Sequence, residues 1–197
     1  MFTVIEIVLV FAIAGVIFLM AFIALPSLWA SERDAERRAN VIEFVSNIKT
    51  YQTNNSRGAL PDLGSKATAS ANFKMSEAKD KKNNKETGTW KAFVRDYVKA
   101  ELNDPSDNEN TFYVVNCLSS DKNNRTLSIG QPCTYGNRFE KANAGDYPTG
   151  KIDYYMYTAV GAVCDGNQAV KSSNDRDVAV VYILERGGRY CYGTAQQ

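Results

Sequence analysis

The sequence of 197 residues contains no histidine. Histidine is the usual general base, the commonest partner of serine and cysteine nucleophiles, and a frequent transition-metal ligand, so its absence weighs against most enzyme classes. A phosphate-binding loop, a GxGxxG pattern and a cluster with metal-ligand spacing are also lacking. The sequence therefore predicts no enzymatic activity, no cofactor and no metal site.

The chain also lacks a large net charge, because its 23 Lys and Arg residues are balanced by 22 Asp and Glu residues. This balance gives no overall field that would attract nucleic acid, so nucleic acid is not expected as a partner. Five of the lysines lie between Lys74 and Lys85. A solvated loop is the favoured interpretation of this run, and a contact with anionic surface polymers or DNA is the alternative.

Cysteine is absent from the N-terminal half, and the C-terminal half holds Cys117, Cys133, Cys164 and Cys191 without a CxxC pair. An even number of cysteines behind a membrane-type segment indicates two disulfides formed in an oxidising compartment. Of the three possible pairings we favour Cys117–Cys133 with Cys164–Cys191, since each closes a local loop. Four reduced, buried thiols are the alternative.

Charged residues are also lacking from Ile7 through Ser31. The apolar run Ile7–Leu25 is long enough, as a helix of about 29 Å, to cross the hydrocarbon core of a bilayer. It is too long for a signal-peptide core, and no basic region precedes it. Gly15 and Pro26 interrupt the predicted helix, and Pro26 predicts a kink.

The helix is expected to continue beyond the apolar run to about Gln52. Apolar residues there recur at helical spacing and form one stripe, and Asn54, Asn55 and Gly58 predict the helix end. The members of the stripe are Val41, Phe44, Val45, Ile48 and Tyr51.

Glu6 places one carboxylate at the start of the apolar run. A charge in lipid costs about 2.5–3.5 kcal/mol at the helix centre and less near the interface, so it normally has a partner. The α-amino group of a neighbouring copy is the favoured partner. The alternative is an interfacial glutamate that faces headgroups and the positive end of the helix.

The remainder of the chain predicts an α+β fold. Residues 53–88 lack periodicity and are expected to be an irregular surface segment, and Thr89 is expected to cap a second, short helix over about 90–102. The Gly187-Gly188 pair predicts a hairpin turn. Strands are expected at Thr111–Cys117, Lys151–Val160, Asp177–Leu184 and Tyr190–Tyr192.

The pentapeptide FTVIE at residues 2–6, with the apolar run that follows it, resembles the N-terminal signature of type IV pilins. In that family the Phe is the methylated mature N-terminus, which implies assembly roles for Phe2 and Glu6. Gly15 falls where pilins have a helix-softening glycine, and Pro26 lies slightly past their usual proline. Prepilin peptidase normally cuts after Gly or Ala, whereas Met1 precedes Phe2 here. Either Met1 is the mature first residue, or the sequence is shown without its leader, and we favour the second interpretation.

The resemblance implies the type IV pilin fold: a long N-terminal helix packed on an antiparallel sheet, with a second short helix and a disulfide-bonded C-terminal region. Residues 1–30 would form the membrane and filament-core helix, and residues 31–197 the globular headgroup. The expected product is a helical homo-oligomer, an extracellular pilus that serves adhesion, surface or host attachment, or twitching motility.

The partners implied are the inner (cytoplasmic) membrane before assembly, the pilus assembly machinery, prepilin peptidase and a host or surface receptor. The alternative within the resemblance is a pseudopilin of a type II secretion or DNA-uptake (competence) machine. A third hypothesis, from a different class, is a monomeric membrane-anchored binding protein or enzyme.

Overall fold

A computed structural model describes residues 3–62, 70–99, 101–106, 110–117, 128–133 and 155–195. Its elements are the helices α1 (Val4–Asn54), α2 (Met75–Lys79) and α3 (Trp90–Tyr97), and a short 3-10 turn at Ser56–Gly58. The described strands are β1 (Ser70–Lys74), β2 (Thr111–Asn116), β3 (Tyr155–Val160), β4 (Ala162–Asp165), β5 (Gln168–Lys171), β6 (Val178–Ile183) and β7 (Arg189–Gly193).

Helix α1 is a single element that runs through Pro26 and ends two residues beyond the expected end. Thr3 caps its start, because the Thr3 side chain accepts a hydrogen bond from the backbone of Glu6. At the other end, Asn55 leaves the helical region and its amide bonds to the carbonyl of Tyr51. The helix therefore carries both the apolar run and the amphipathic stripe.

Five strands form one sheet in the order β1-β2-β3-β6-β7. The sheet is mixed, so the expectation of an antiparallel sheet is wrong for one pair: β2 and β3 are parallel, whereas the other pairs are antiparallel. Parallel neighbours need a long crossover connection, and about forty residues separate β2 from β3. The hairpin expected at Gly187-Gly188 is confirmed, since β6 and β7 pair across it.

The main core lies between α1 and one face of this sheet. The α1 stripe contributes Val41, Phe44, Val45 and Ile48, each with no exposed surface, and their burial is worth about 6–12 kcal/mol. Helix α3 closes the core, and Phe44 contacts both Phe93 and Phe112 at ring-centroid distances of 5.7 and 5.1 Å.

The opposite face of the sheet is covered by the hairpin of β4 and β5, a feature that the sequence did not predict. Residues 128–133 run beside β5, where the amide of Cys133 bonds to the carbonyl of Ala169 at 2.9 Å. Strand β6 is buried along its whole length because α1 covers one face of the sheet and the β4–β5 hairpin covers the other.

Two further expectations were wrong. The second helix ends at Tyr97 instead of near 102, because Val98 adopts an extended conformation, although Val98 and Leu102 stay in the core. Residues 53–88 are not irregular throughout, since they contain β1 and α2. Strand β1 pairs with β2, a partner distant in sequence. The expected strand at 151–160 is described from Tyr155 onward, and its first four residues lie outside the described ranges.

Candidate assembly site

The first half of α1 carries an apolar surface with almost no contacts inside the subunit. Large apolar side chains from Val4 to Trp29 are 41–79% exposed. Within the described part of the chain, this half contains the one helix segment that is long and apolar enough to cross a membrane. None of the most apolar 18 residues of this segment is buried. A surface of this kind needs lipid or another apolar surface as its cover.

Glu6 holds the one carboxylate of this segment, at the first turn of α1. Its Oε2 atom accepts hydrogen bonds from the Thr3 amide at 2.8 Å and the Thr3 hydroxyl at 2.9 Å. The reciprocal bonds form a capping box that fixes the carboxylate at the positive end of the helix. Met1 and Phe2, the other residues expected to act in assembly, lie outside the described residues.

Gly15 and Pro26, the residues expected to soften the helix, both lie within the exposed half of α1. A Cβ atom built at Gly15 would meet no atom within 4 Å, so no contact inside the subunit requires glycine there. Pro26 lacks the amide that would bond to the carbonyl of Phe22. Helix α1 is continuous through both residues, so their softening of the helix stays a prediction.

A buried charge cluster joins α1 to the rest of the globular domain, which we call the head. It lies just beyond the end of the apolar half of the helix. Arg37 has no exposed side-chain surface and binds Asp104 through two hydrogen bonds of 2.8 and 3.1 Å. The same guanidinium contacts Asp34 at 3.0 Å, Glu185 at 3.3 Å and the hydroxyl of Ser106 at 2.7 Å. The cluster fixes the position of α1 against the head.

The acidic members of this cluster are themselves held by the head. Asp34 accepts hydrogen bonds from the amides of Glu185 at 2.7 Å and Arg186 at 3.2 Å. The hydrogen bonds from Arg33, and next those from Arg37, lower the pKa of Glu185 against the opposing effect of burial. The carboxylate of Glu185 therefore stays ionised at pH values where an ordinary glutamate would take up a proton.

Tyr182 extends the cluster into the core from β6. Its hydroxyl lies 2.9 Å from Oδ2 of Asp104 and 2.9 Å from Oδ1 of Asn110. Burial raises the pKa of Tyr182 far above its ordinary value, and the charge of Asp104 adds to the effect. The phenol is therefore neutral and donates a hydrogen bond across the ordinary pH range.

Both disulfides link the five-stranded sheet to the layer that covers its opposite face. This layer consists of β4, β5 and residues 128–133, and we call it the hairpin layer. Cys117 at the end of β2 is bonded to Cys133, and Cys164 in β4 is bonded to Cys191 in β7, with Cα–Cα distances of 5.6 and 5.7 Å. This is the pairing that the sequence favoured. Each bond joins the hairpin layer to a strand of the five-stranded sheet, so the two layers are covalently linked.

Sequence reasoning missed the charge cluster, although part of its signal was visible. Asp34 and Arg37 continue the Val41 and Phe44 stripe toward the N-terminus, so their helical positions face the core. Charged residues on a core-facing stripe indicate buried partners. The partners themselves could not be found this way, because Asp104 and Glu185 are 67 and 148 residues from Arg37.

Within the described ranges, no group of three or more Cys, Asp and Glu side chains could hold a metal ion. No protein-family model, curated protein or solved structure matches this chain. The long apolar N-terminal helix, the mixed sheet and the disulfides are compatible with a pilin-like fold. The fold class is α+β, and the exposed half of α1 is the surface that needs a partner.

Proposed function

We propose that the chain is a type IV pilin, a structural subunit that polymerises through the first half of α1 into an extracellular filament. The observation that carries the proposal is the division of one helix into two halves. The large apolar side chains from Val4 to Trp29 are exposed, whereas the stripe from Val41 to Ile48 is buried in the core of the head. A bundle of identical helices would cover the exposed half.

The free energy of covering these apolar side chains is too large for this half of α1 to remain in water. Eighteen large apolar side chains are exposed between Val4 and Trp29. Covering them is worth roughly 20–40 kcal/mol at about 1.5–3 kcal/mol for each full burial, discounted for partial exposure. A whole domain is stable by only about 5–15 kcal/mol. Moving α1 from the membrane into a helical bundle exchanges one apolar environment for another.

Glu6 would set the axial register of the filament by pairing with the α-amino group of an adjacent copy. Both bonds from Thr3 end on Oε2 of Glu6, and among the described residues none ends on Oε1. The carboxylate is thus oriented by Thr3 with one oxygen left for a cation. A buried charge without a partner costs several kcal/mol, so registers that leave Glu6 unpaired would be disfavoured.

The test is Glu6→Ala in cells that produce surface fibres from this chain. We expect fibre protein in the sheared surface fraction to be lost while the amount of subunit in the membrane is unchanged. Glu77→Ala is the matched control, because Glu77 is an exposed carboxylate on α2 in the head. Normal filaments from the Glu6→Ala chain would show that this role for Glu6 is wrong.

The alternatives predict different images of the same cells. A pseudopilin would form short assemblies within the envelope instead of long surface fibres. A monomeric anchored protein would keep its function after residues 1–30 are exchanged for an unrelated apolar helix, whereas a pilin would lose its filaments.

A further inference from the structure

The second half of α1 has a solvent-facing surface with a regular layout, which we name the outer face. Its centre is small or apolar, and every member is exposed: Ser31, Ala35, Ala39, Ile42 and Ser46. At about 100° per residue these positions fall within about 80° of arc. The outer face points away from the core stripe and continues the exposed apolar surface of the first half.

One edge of the outer face is acidic. Glu32, Glu36 and Glu43 are exposed and lie along one side of the helix, within about 40° of arc. None of the three has a basic partner within the described residues. Glu32 and Glu36 are four residues apart, a spacing at which like charges repel on a helix. This acidic edge is therefore available to a cation from outside the described part of the subunit.

The opposite edge is basic. Arg38 and Arg186 line a groove between α1 and the turn that joins β6 to β7, with Ala35 and Ile42 among its other lining residues. The Arg38 guanidinium lies 5.6 Å from the centre of the Tyr190 ring, and the backbone amide of Arg186 bonds to Asp34, which holds the backbone of the turn at this residue. Both side chains are exposed to solvent.

We propose that the outer face is a contact between copies, in which the acidic edge of one copy lies against the Arg38 and Arg186 groove of the next. The inference rests on the proposed filament function. Copies that follow one another along a filament keep their helices parallel, so side-by-side neighbours present edges of opposite charge. An antiparallel pair would bring like edges together, so the charges select the polar, open-ended arrangement.

The experiment reverses each edge in the full chain. The first variant carries Glu32→Lys, Glu36→Lys and Glu43→Lys, and the second carries Arg38→Glu and Arg186→Glu. Each variant alone presents two edges of the same sign, and we expect its sheared fibre protein to fall about tenfold or more. Cells that produce both variants together are expected to regain fibres in which the two kinds of copy alternate.

The control carries Lys81→Glu and Lys82→Glu, exposed residues of the turn that follows α2, and should leave fibre yield unchanged. Thermal unfolding of each full chain in detergent checks that the reversed edges fold. A reversed variant that does not fold is replaced by its neutral form, with Gln in place of Glu or Arg. For this form we expect a smaller loss in yield, and the loss should shrink as salt is added, because salt screens the attraction in the unaltered chain.

Three outcomes would overturn the proposal. If a reversed variant alone forms fibres at the native yield, the edges do not contact each other, although the filament function stands. If both variants fold yet fail to assemble together, the pairing of these edges is wrong. If the unaltered chain forms no fibres at all, the proposed function fails and this contact fails with it.

Discussion

Replacement of Arg37 by methionine is expected to destabilise the folded head by about 3–4 kcal/mol. Removing one partner of a buried ion pair typically costs about 3–5 kcal/mol, because the remaining charge stays in a medium of low polarity. Here the buried charges that lose their partner belong to Asp104, which has no exposed side-chain surface, and Asp34, which is 8% exposed, whereas Glu185 keeps its ion pair with Arg33.

The cost should lie toward the lower end of that range. Asp104 would keep hydrogen bonds from the Tyr182 hydroxyl and the Ser106 amide, and Asp34 would keep two backbone amides.

The assay is urea unfolding of the oxidised full chain in detergent, followed by near-ultraviolet circular dichroism. Lys49→Met is the control, because Lys49 is exposed on the same helix, and it should stay near the unaltered stability. Asp104→Asn and the double variant complete a cycle. We expect the double variant to be at least about 1 kcal/mol more stable than the sum of the single effects requires.

A loss of less than about 1 kcal/mol for Arg37→Met would refute this reasoning, since such a loss is the ordinary effect of a mutation without a buried ion pair. Additive effects of Arg37→Met and Asp104→Asn would also refute it, because the two side chains would then act independently.

Two further predictions concern the head. The lowered pKa of Glu185 implies that its contribution to stability is present above its ordinary value of 4.5 and is lost as pH falls through the lowered value. Acid unfolding of Glu185→Gln should therefore show a weaker dependence on pH below about 4.5, and an unchanged profile would contradict this assignment. Replacing Cys117 and Cys133 by serine should cost about 3 kcal/mol, and replacing Cys164 and Cys191 about 3.5 kcal/mol, because the second loop is longer. Urea unfolding measures both losses, and losses in the reverse order would contradict the loop-length argument.

The features that the sequence predicts well are local ones. The extent of α1 follows from apolar runs and stripes, and the β6–β7 hairpin follows from Gly187-Gly188 between two β-branched and aromatic segments. The favoured disulfide pairing also rests on short separations of 16 and 27 residues. Each of these depends on residues near one another in the chain, where spacing carries the information.

The features that the sequence does not predict depend on partners that are distant in the chain. Strand β1 lies in a polar segment whose buried Phe73 is the main sign of a strand, and it exists because β2 provides its hydrogen bonds. The parallel pairing of β2 and β3 joins strands about forty residues apart in the chain, so local spacing does not indicate it. The Arg37 cluster collects acids from three separate parts of the chain.

The central claim is that the first half of α1 ends in the core of a filament built from copies of this chain. Electron cryo-microscopy of fibres sheared from producing cells tests it most directly. We predict a central bundle of helices that includes residues 4–29, surrounded by heads with the described fold. Cells without such fibres, in which cross-linking finds the chain as single copies in the membrane, would contradict the claim.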